Sequence, residues 1–90
     1  MTVPQLTVLS REYCHLCHDM VAALQALQGE AGFALQVVDV DLNPNLEQRY
    51  GEKVPVLLAG GQHLQQREPL EICHYHLDVA RLNAYLAEFR

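Results

Sequence analysis

The sequence predicts a small α/β domain: a four-stranded mixed sheet flanked by three helices, in the order β-α-β-α-β-β-α. Three observations predict it. Short aliphatic, β-branched runs alternate with stretches whose apolar residues recur every three or four positions. Glycine or proline marks most of the junctions. The first three elements read strand–helix–strand, and a right-handed crossover makes the two strands parallel. The chain has 90 residues, which suits one domain over residues 1–90.

The elements follow in order. Residues 6–9, Leu-Thr-Val-Leu, form a short apolar run after Pro4, as expected of a strand buried on both faces. Residues 10–13 read as a loop. From 16 to 28 the period becomes helical, with Leu16, Met20, Ala23 or Leu24, and Leu27 on one face; Gly29 and Gly32 are expected to end it. Residues 35–40 make a second strand with Val37, Val38 and Val40 as its core. Asn43 can cap a short helix that starts at Pro44 and runs to Tyr50, with Gly51 as its stop. Residues 56–59 form a third strand, followed by a Gly60-Gly61 turn. Residues 62–70 are polar, contain Pro69 and show no sustained period; they read as a hairpin continuation at His63-Leu64 or a surface loop. Residues 71–75 form the fourth strand, with Ile72 and Cys73 on opposite faces. Asp78 can cap the last helix, whose apolar stripe is Val79, Leu82, Leu86 and Phe89.

Composition removes several functions. Six Lys and Arg stand against eleven Asp and Glu, for a net charge of −5. The basic residues are scattered, which argues against neutralising a phosphate backbone. The N-terminal residues show no signal-peptide pattern, and no apolar run approaches the roughly 20 residues that span a bilayer. No nucleic-acid or membrane partner is expected, and a cytoplasmic monomer is.

Three cysteines carry the chemistry. Cys14 and Cys17 form a Cys-x-x-Cys pair beside the strand–helix–strand unit, the pattern of a dithiol redox site. Cys14 falls at the mouth of the first helix and Cys17 within its first turn. Unpaired N–H groups and the helix dipole there favour an anion, which lowers the Cys14 pKa and raises its thiolate fraction. Cys17, one turn on, is placed to resolve a mixed disulfide. His15, His18 and Arg11 would favour the thiolate; Glu12 and Asp19 would oppose it. The rival for these residues is a metal held by Cys14, Cys17, Cys73 and His74. Against it, Cys73 and His74 are adjacent and would point to opposite faces of a strand. His74 and His76 share a face if the strand continues, but no third ligand is evident. Cys73 alone reads as a buried thiol, Asp39 and Asp41 as a solvated turn, and Tyr13 as either a packed aromatic or a shield for Cys14.

Val54-Pro55-Val56 is the second signal. Proline is tolerated at a strand entry. A cis bond would present the Val54 backbone near the dithiol, where its N–H and C=O could pair with a bound thiol substrate. Only about 5–6% of X–Pro bonds are cis, so the residues alone favour trans.

Together these features resemble the small bacterial glutaredoxin-like family of the thioredoxin-fold superfamily. The resemblance rests on the Leu6-Thr7-Val8-Leu9-Ser10-Arg11-Glu12-x-Cys14-x-Leu16-Cys17 opening, on Val38-Asp39-Val40-Asp41, on Arg49-Tyr50-Gly51-x-x-Val54-Pro55-Val56-Leu57, and on Asp78-x-x-Arg81-Leu82. It implies a glutaredoxin-type thioredoxin-like fold and a thiol–disulfide oxidoreductase of cell redox homeostasis. Cys14 would attack, Cys17 resolve, and Pro55 be cis. Ser10-Arg11 resembles the Ser-Lys pair of glutaredoxins, so Arg11 would hold a glutathione carboxylate, and Val54 would bind the cysteinyl part through its backbone. The implied partners are a disulfide-containing protein or a glutathione mixed disulfide, and a thiol reductant. No tightly bound cofactor is implied; glutathione would serve as reductant or co-substrate. Two departures stand out. The dithiol encloses His15-Leu16 instead of the Pro-Tyr usual in glutaredoxins. Their Gly-Gly-x-Asp stretch before the last helix is matched only by Asp78. The other function to weigh is a non-catalytic binding or metal-handling module on the same fold.

Overall fold

The computed structural model describes residues 3–60 and 70–88. Strand β1 (Gln5–Ser10) leads into helix α1 (His15–Ala31), strand β2 (Ala34–Asp39), a single 3-10 turn (Val40–Leu42), helix α2 (Pro44–Tyr50), strands β3 (Val56–Ala59) and β4 (Leu70–His74), and helix α3 (Val79–Ala87). The predicted order is the observed one. The Gln62–Pro69 reading lies outside the described residues, as does Phe89.

The sheet order is β2-β1-β3-β4. β1 pairs with β2 in parallel, Leu6 opposite Leu35 and Ser10 opposite Asp39. It pairs with β3 antiparallel, Leu6 opposite Ala59 and Leu9 opposite Val56; β4 runs antiparallel to β3. β1 and β3 are the central strands, and β2 and β4 the edges.

Side chains alternate across a strand, so each central strand feeds two cores. Leu6, Val8 and Leu57 face α1 and α3, packing with Met20, Leu24, Phe33, Ile72, Cys73, Leu82 and Leu86. Leu9, Val56 and Leu58 face α2, with Val40 and Tyr50. Fully burying one such aliphatic side chain contributes about 1.5–3 kcal/mol. Thr7, between two aliphatic neighbours, is fully buried and donates its hydroxyl to the Gly60 carbonyl at 2.8 Å, which removes the cost of an unpaired polar group.

Details of α1, β2 and α3 differ from the sequence reading. Helix α1 runs through Gly29 to Ala31, because Gly32 carries the left-handed residue (φ 69°) that ends it and its N–H closes on the Gln28 carbonyl at 3.0 Å. The buried face of α1 is Cys17, Met20 and Leu24, while Leu16 is exposed. β2 is an edge, so Val37 is 48% exposed and Val38 only half-buried; Val40 alone of the three is buried, and it sits in the 3-10 turn. In α3 the stripe reduces to Leu82 and Leu86, with Val79 exposed.

Ile72 and Cys73 do not face opposite ways. The β3–β4 register shifts between Leu57 and Leu58, which pair with Cys73 and Glu71 and leave Ile72 as an extra residue. Such a bulge breaks the alternation of the strand, and both residues enter the core under α1 and α3. The Ile72 carbonyl, out of the ladder, accepts from Arg81 Nη1 at 3.2 Å.

Candidate functional site

The antiparallel pairing of β1 with β3 and of β3 with β4 sets three segments at one end of the sheet. They are the loop after Ser10 that carries the cysteines, residues 54–55 before β3, and the corner after His74 that leads into α3.

Cys14 is the N-cap of α1, with extended backbone (φ −102°, ψ 109°). Its N–H closes a turn on the Arg11 carbonyl at 3.1 Å, and its carbonyl accepts from His18. The sulfur takes the part a Ser or Asp oxygen plays in most caps: it accepts from the Cys17 N–H at 3.1 Å. No acidic side chain lies in the first turn, so nothing on that turn opposes an anion. Cys14 and Cys17 are joined as a disulfide, with Cα atoms 5.1 Å apart. Cys14 is partly exposed and Cys17 is fully buried. One sulfur is open to an incoming partner, and the other is reachable only through the first.

Pro55 is fully buried, and the Val54–Pro55 peptide is cis, as the resemblance implied and the residues alone did not. Val54 is half-buried against the α2-side core. Since Leu9 pairs with Val56, Val54 and Pro55 flank the exit of β1 toward the dithiol.

Arg11 has two internal partners. Its Nη2 donates to Glu47 Oε1 at 3.1 Å, and its Nε lies 3.1 Å from Asp41 Oδ1, out of line for a hydrogen bond. The expected substrate carboxylate is thus preceded by two carboxylates of the chain itself, one from the 3-10 turn and one from α2. The Asp39–Asp41 segment is more than a solvated turn: Asp39 accepts from the Asp41 N–H at 2.9 Å and aims Asp41 at Arg11. Asp41 and Glu47 were not singled out from the sequence as site residues, and no spacing rule links them to Arg11.

The corner after β4 contains Tyr75 at φ 65°, backbone that favours glycine. The Gly-Gly stretch missing from the sequence corresponds to this corner, and a tyrosine occupies the left-handed position. Its N–H donates to the Pro55 carbonyl at 2.8 Å and its hydroxyl to the Glu52 carbonyl at 3.1 Å. The ring packs edge-on to His74, centroids 4.7 Å apart. The His76 N–H reaches back to the His74 carbonyl at 2.7 Å. The strand stops at His74, so His74 and His76 do not share a strand face. His74 Nδ1 instead pairs with Glu71 Oε2 at 2.8 Å, and Glu71 Oε1 with Lys53 at 2.8 Å.

Burial pushes the Glu71 carboxyl up, but hydrogen bonds from Lys53 and His74 outweigh it and hold its pKa below the ordinary value. The Glu71 hydrogen bond raises Lys53. Cys73 is a buried free thiol pushed up by desolvation. Among the described residues no group of three or more His, Cys, Asp or Glu is placed to hold a metal; the set Cys14, Cys17, Cys73, His74 is not brought together. Tyr13 is 87% exposed and packs into neither core.

Comparison with known proteins gives the same picture. The profile of the glutaredoxin-like domain (DUF836) matches residues 5–87. The uncharacterised protein Rv0508 of Mycobacterium tuberculosis is 32% identical over 92 residues, covering 97% of this chain and 87% of its own. The solution structure of protein Ne2328 from Nitrosomonas europaea is 40% identical with a TM-score of 0.77, over 94% of this chain and 93% of that one. Thioredoxin 1 from Thermosipho africanus superposes with a TM-score of 0.62 at 16% identity, over 94% and 92% of the two chains, a likeness of fold. The chain belongs to the glutaredoxin-like domain family, within the thioredoxin fold, and carries a Cys14–Cys17 pair at disulfide distance.

Proposed function

We propose that the protein is a thiol–disulfide oxidoreductase acting through Cys14 and Cys17. The observation that carries the reading is the asymmetry of the pair: Cys14 is partly exposed and receives a backbone N–H on sulfur, while Cys17 is buried one helical turn away. In the reduced protein that donor favours the Cys14 thiolate over the thiol. The thiolate attacks one sulfur of a substrate disulfide; that bond breaks, a mixed disulfide forms at Cys14, and a thiolate leaves. Deprotonated Cys17 then attacks Cys14, closing the internal disulfide and releasing the second substrate thiol. Two electrons pass from the dithiol to the substrate. An external thiol, with glutathione as the candidate, returns them in a reducing compartment, for which the cytoplasm is the expected place. Val54 and cis-Pro55 are the proposed backbone platform for the substrate. A monomer suffices for this chemistry.

The test is exchange with a model disulfide, followed by mass spectrometry. Cys14→Ser is expected to fall to the uncatalysed rate. Cys17→Ser is expected to accumulate a mixed disulfide at Cys14, and the Cys14 thiol to titrate below about 8.5. Wild-type reduced protein that exchanges with no disulfide would end this reading.

A further inference from the structure

Arg11 is the cation of the loop that presents Cys14, three residues before the sulfur and linked to it by the Cys14 N–H on its own carbonyl. A guanidinium there would draw anionic substrates toward the dithiol and hold a carboxylate through paired N–H groups. Its charge is already paired: Nη2 donates to Glu47 Oε1, and Nε lies beside Asp41 Oδ1 without a hydrogen bond. The arrangement is built rather than incidental. Asp39, at the strand position opposite Ser10, orients Asp41 through the Asp41 N–H, and Asn43 caps α2 so that Glu47 lies within its first turn. Two carboxylates against one guanidinium leave this flank net negative. Glu12, in the same loop, adds to that sign. Beside the pair, Tyr13 and Leu16 expose large hydrophobic side chains, and His15 and His18 are exposed with them.

We infer that Asp41 and Glu47 are specificity-determining residues: by occupying Arg11 they bias the dithiol against anionic disulfides and toward uncharged, apolar-flanked disulfides such as those of a polypeptide. The inference rests on the oxidoreductase reading and names its substrate class. The electron count is that of the exchange above; the two carboxylates act on the rate through the charge of the incoming disulfide. An anionic disulfide meets net repulsion and a guanidinium already paired with two carboxylates, whereas a neutral one meets neither effect.

The experiment is single-turnover oxidation of the fully reduced protein by two disulfides, oxidised glutathione (anionic) and bis(2-hydroxyethyl) disulfide (neutral). Wild type, Asp41→Asn, Glu47→Gln and the double variant are compared at low and high salt. The readout is the ratio of the anionic to the neutral rate, which a loss of packing alone would not shift. The ratio is expected to rise about fivefold for each carboxylate removed at low salt, the order of one unit charge at close range in water. It should converge on wild type near about 1 M salt, where the screening length is about 3 Å. An unchanged ratio in a single variant that keeps the neutral rate overturns the inference and leaves the oxidoreductase reading standing. A wild-type ratio that does not rise with salt also overturns it. No exchange with either disulfide overturns the parent reading, and the inference with it.

Discussion

The third cysteine shows what burial does to one reactive group. Cys73 and Cys14 lie toward the same end of the sheet, yet Cys73 is inside the α1–α3 core with its thiol pushed up by desolvation. Cys14 is partly exposed with a donor on its sulfur. Alkylation needs both access and thiolate. In the reduced native protein at neutral pH, a brief iodoacetamide pulse is expected to label Cys14 and leave Cys73 unmodified; guanidinium should abolish the difference. Peptide mass spectrometry reads the outcome, and equal labelling in the native state would mean that Cys73 is not shielded. The dithiol and the buried third thiol were legible from spacing and composition because both depend on local placement. The acids on Arg11 were not. Glu47 is 36 residues away from Arg11, and only the closed sheet brings the two together.

At the scale of elements, the corner between β4 and α3 controls the segment before β3. Tyr75 brackets residues 52–55 with two hydrogen bonds, one to Pro55 and one to Glu52. Backbone at positive φ costs about 1–3 kcal/mol and persists where neighbours over-determine it. Tyr75→Phe keeps the N–H and loses the hydroxyl. It is expected to lower stability by about 0.5–1.5 kcal/mol and to speed amide exchange at the 52–54 backbone ahead of the rest of the sheet. Exchange accelerated uniformly, or not at all, would show that the hydroxyl does not hold this segment. Helix caps were readable in advance: Asn43 and Asp78 do what Ser, Asp and Asn do at helix starts. The bulge at Ile72 was not, since alternation is the default along a strand and only pairing with β3 reveals the extra residue.

For the molecule as a whole, charge and topology decide stability together. Lys53, between α2 and β3, meets Glu71 on β4, so one ion pair ties the loop before the central strand to the far edge. Glu71 is held below its usual pKa; its contribution is therefore complete above about pH 4.3 and is lost as pH falls through its lower folded value. Lys53 is raised; its contribution is complete below about pH 10.4 and is lost as pH rises through its higher folded value. The stability gap between wild type and Lys53→Met is expected to be flat across neutral pH and to narrow on acidification as Glu71 protonates. Urea melts at neutral and acid pH measure it, and a gap that widens in acid would have the wrong sign for this linkage. The element order was legible because the strand and helix periods are strong in the first half of the chain. Which strands lie at the edges was not, and that is why Val37 was expected in the core and stands in solvent.

The central position of β1 has a consequence for how the chain comes into being. Its two neighbours arrive late: β2 starts at Ala34, and β3 does not end until Ala59. A ribosome adding about 5–20 residues per second takes several seconds to cover that distance. Through that interval the nascent chain already carries both thiols of the pair, but the strand that supplies Leu57 to the α1 core has not been made. Cys17 is fully buried in the folded domain, so the difference in access between the two sulfurs belongs to the closed fold and is absent from the emerging peptide.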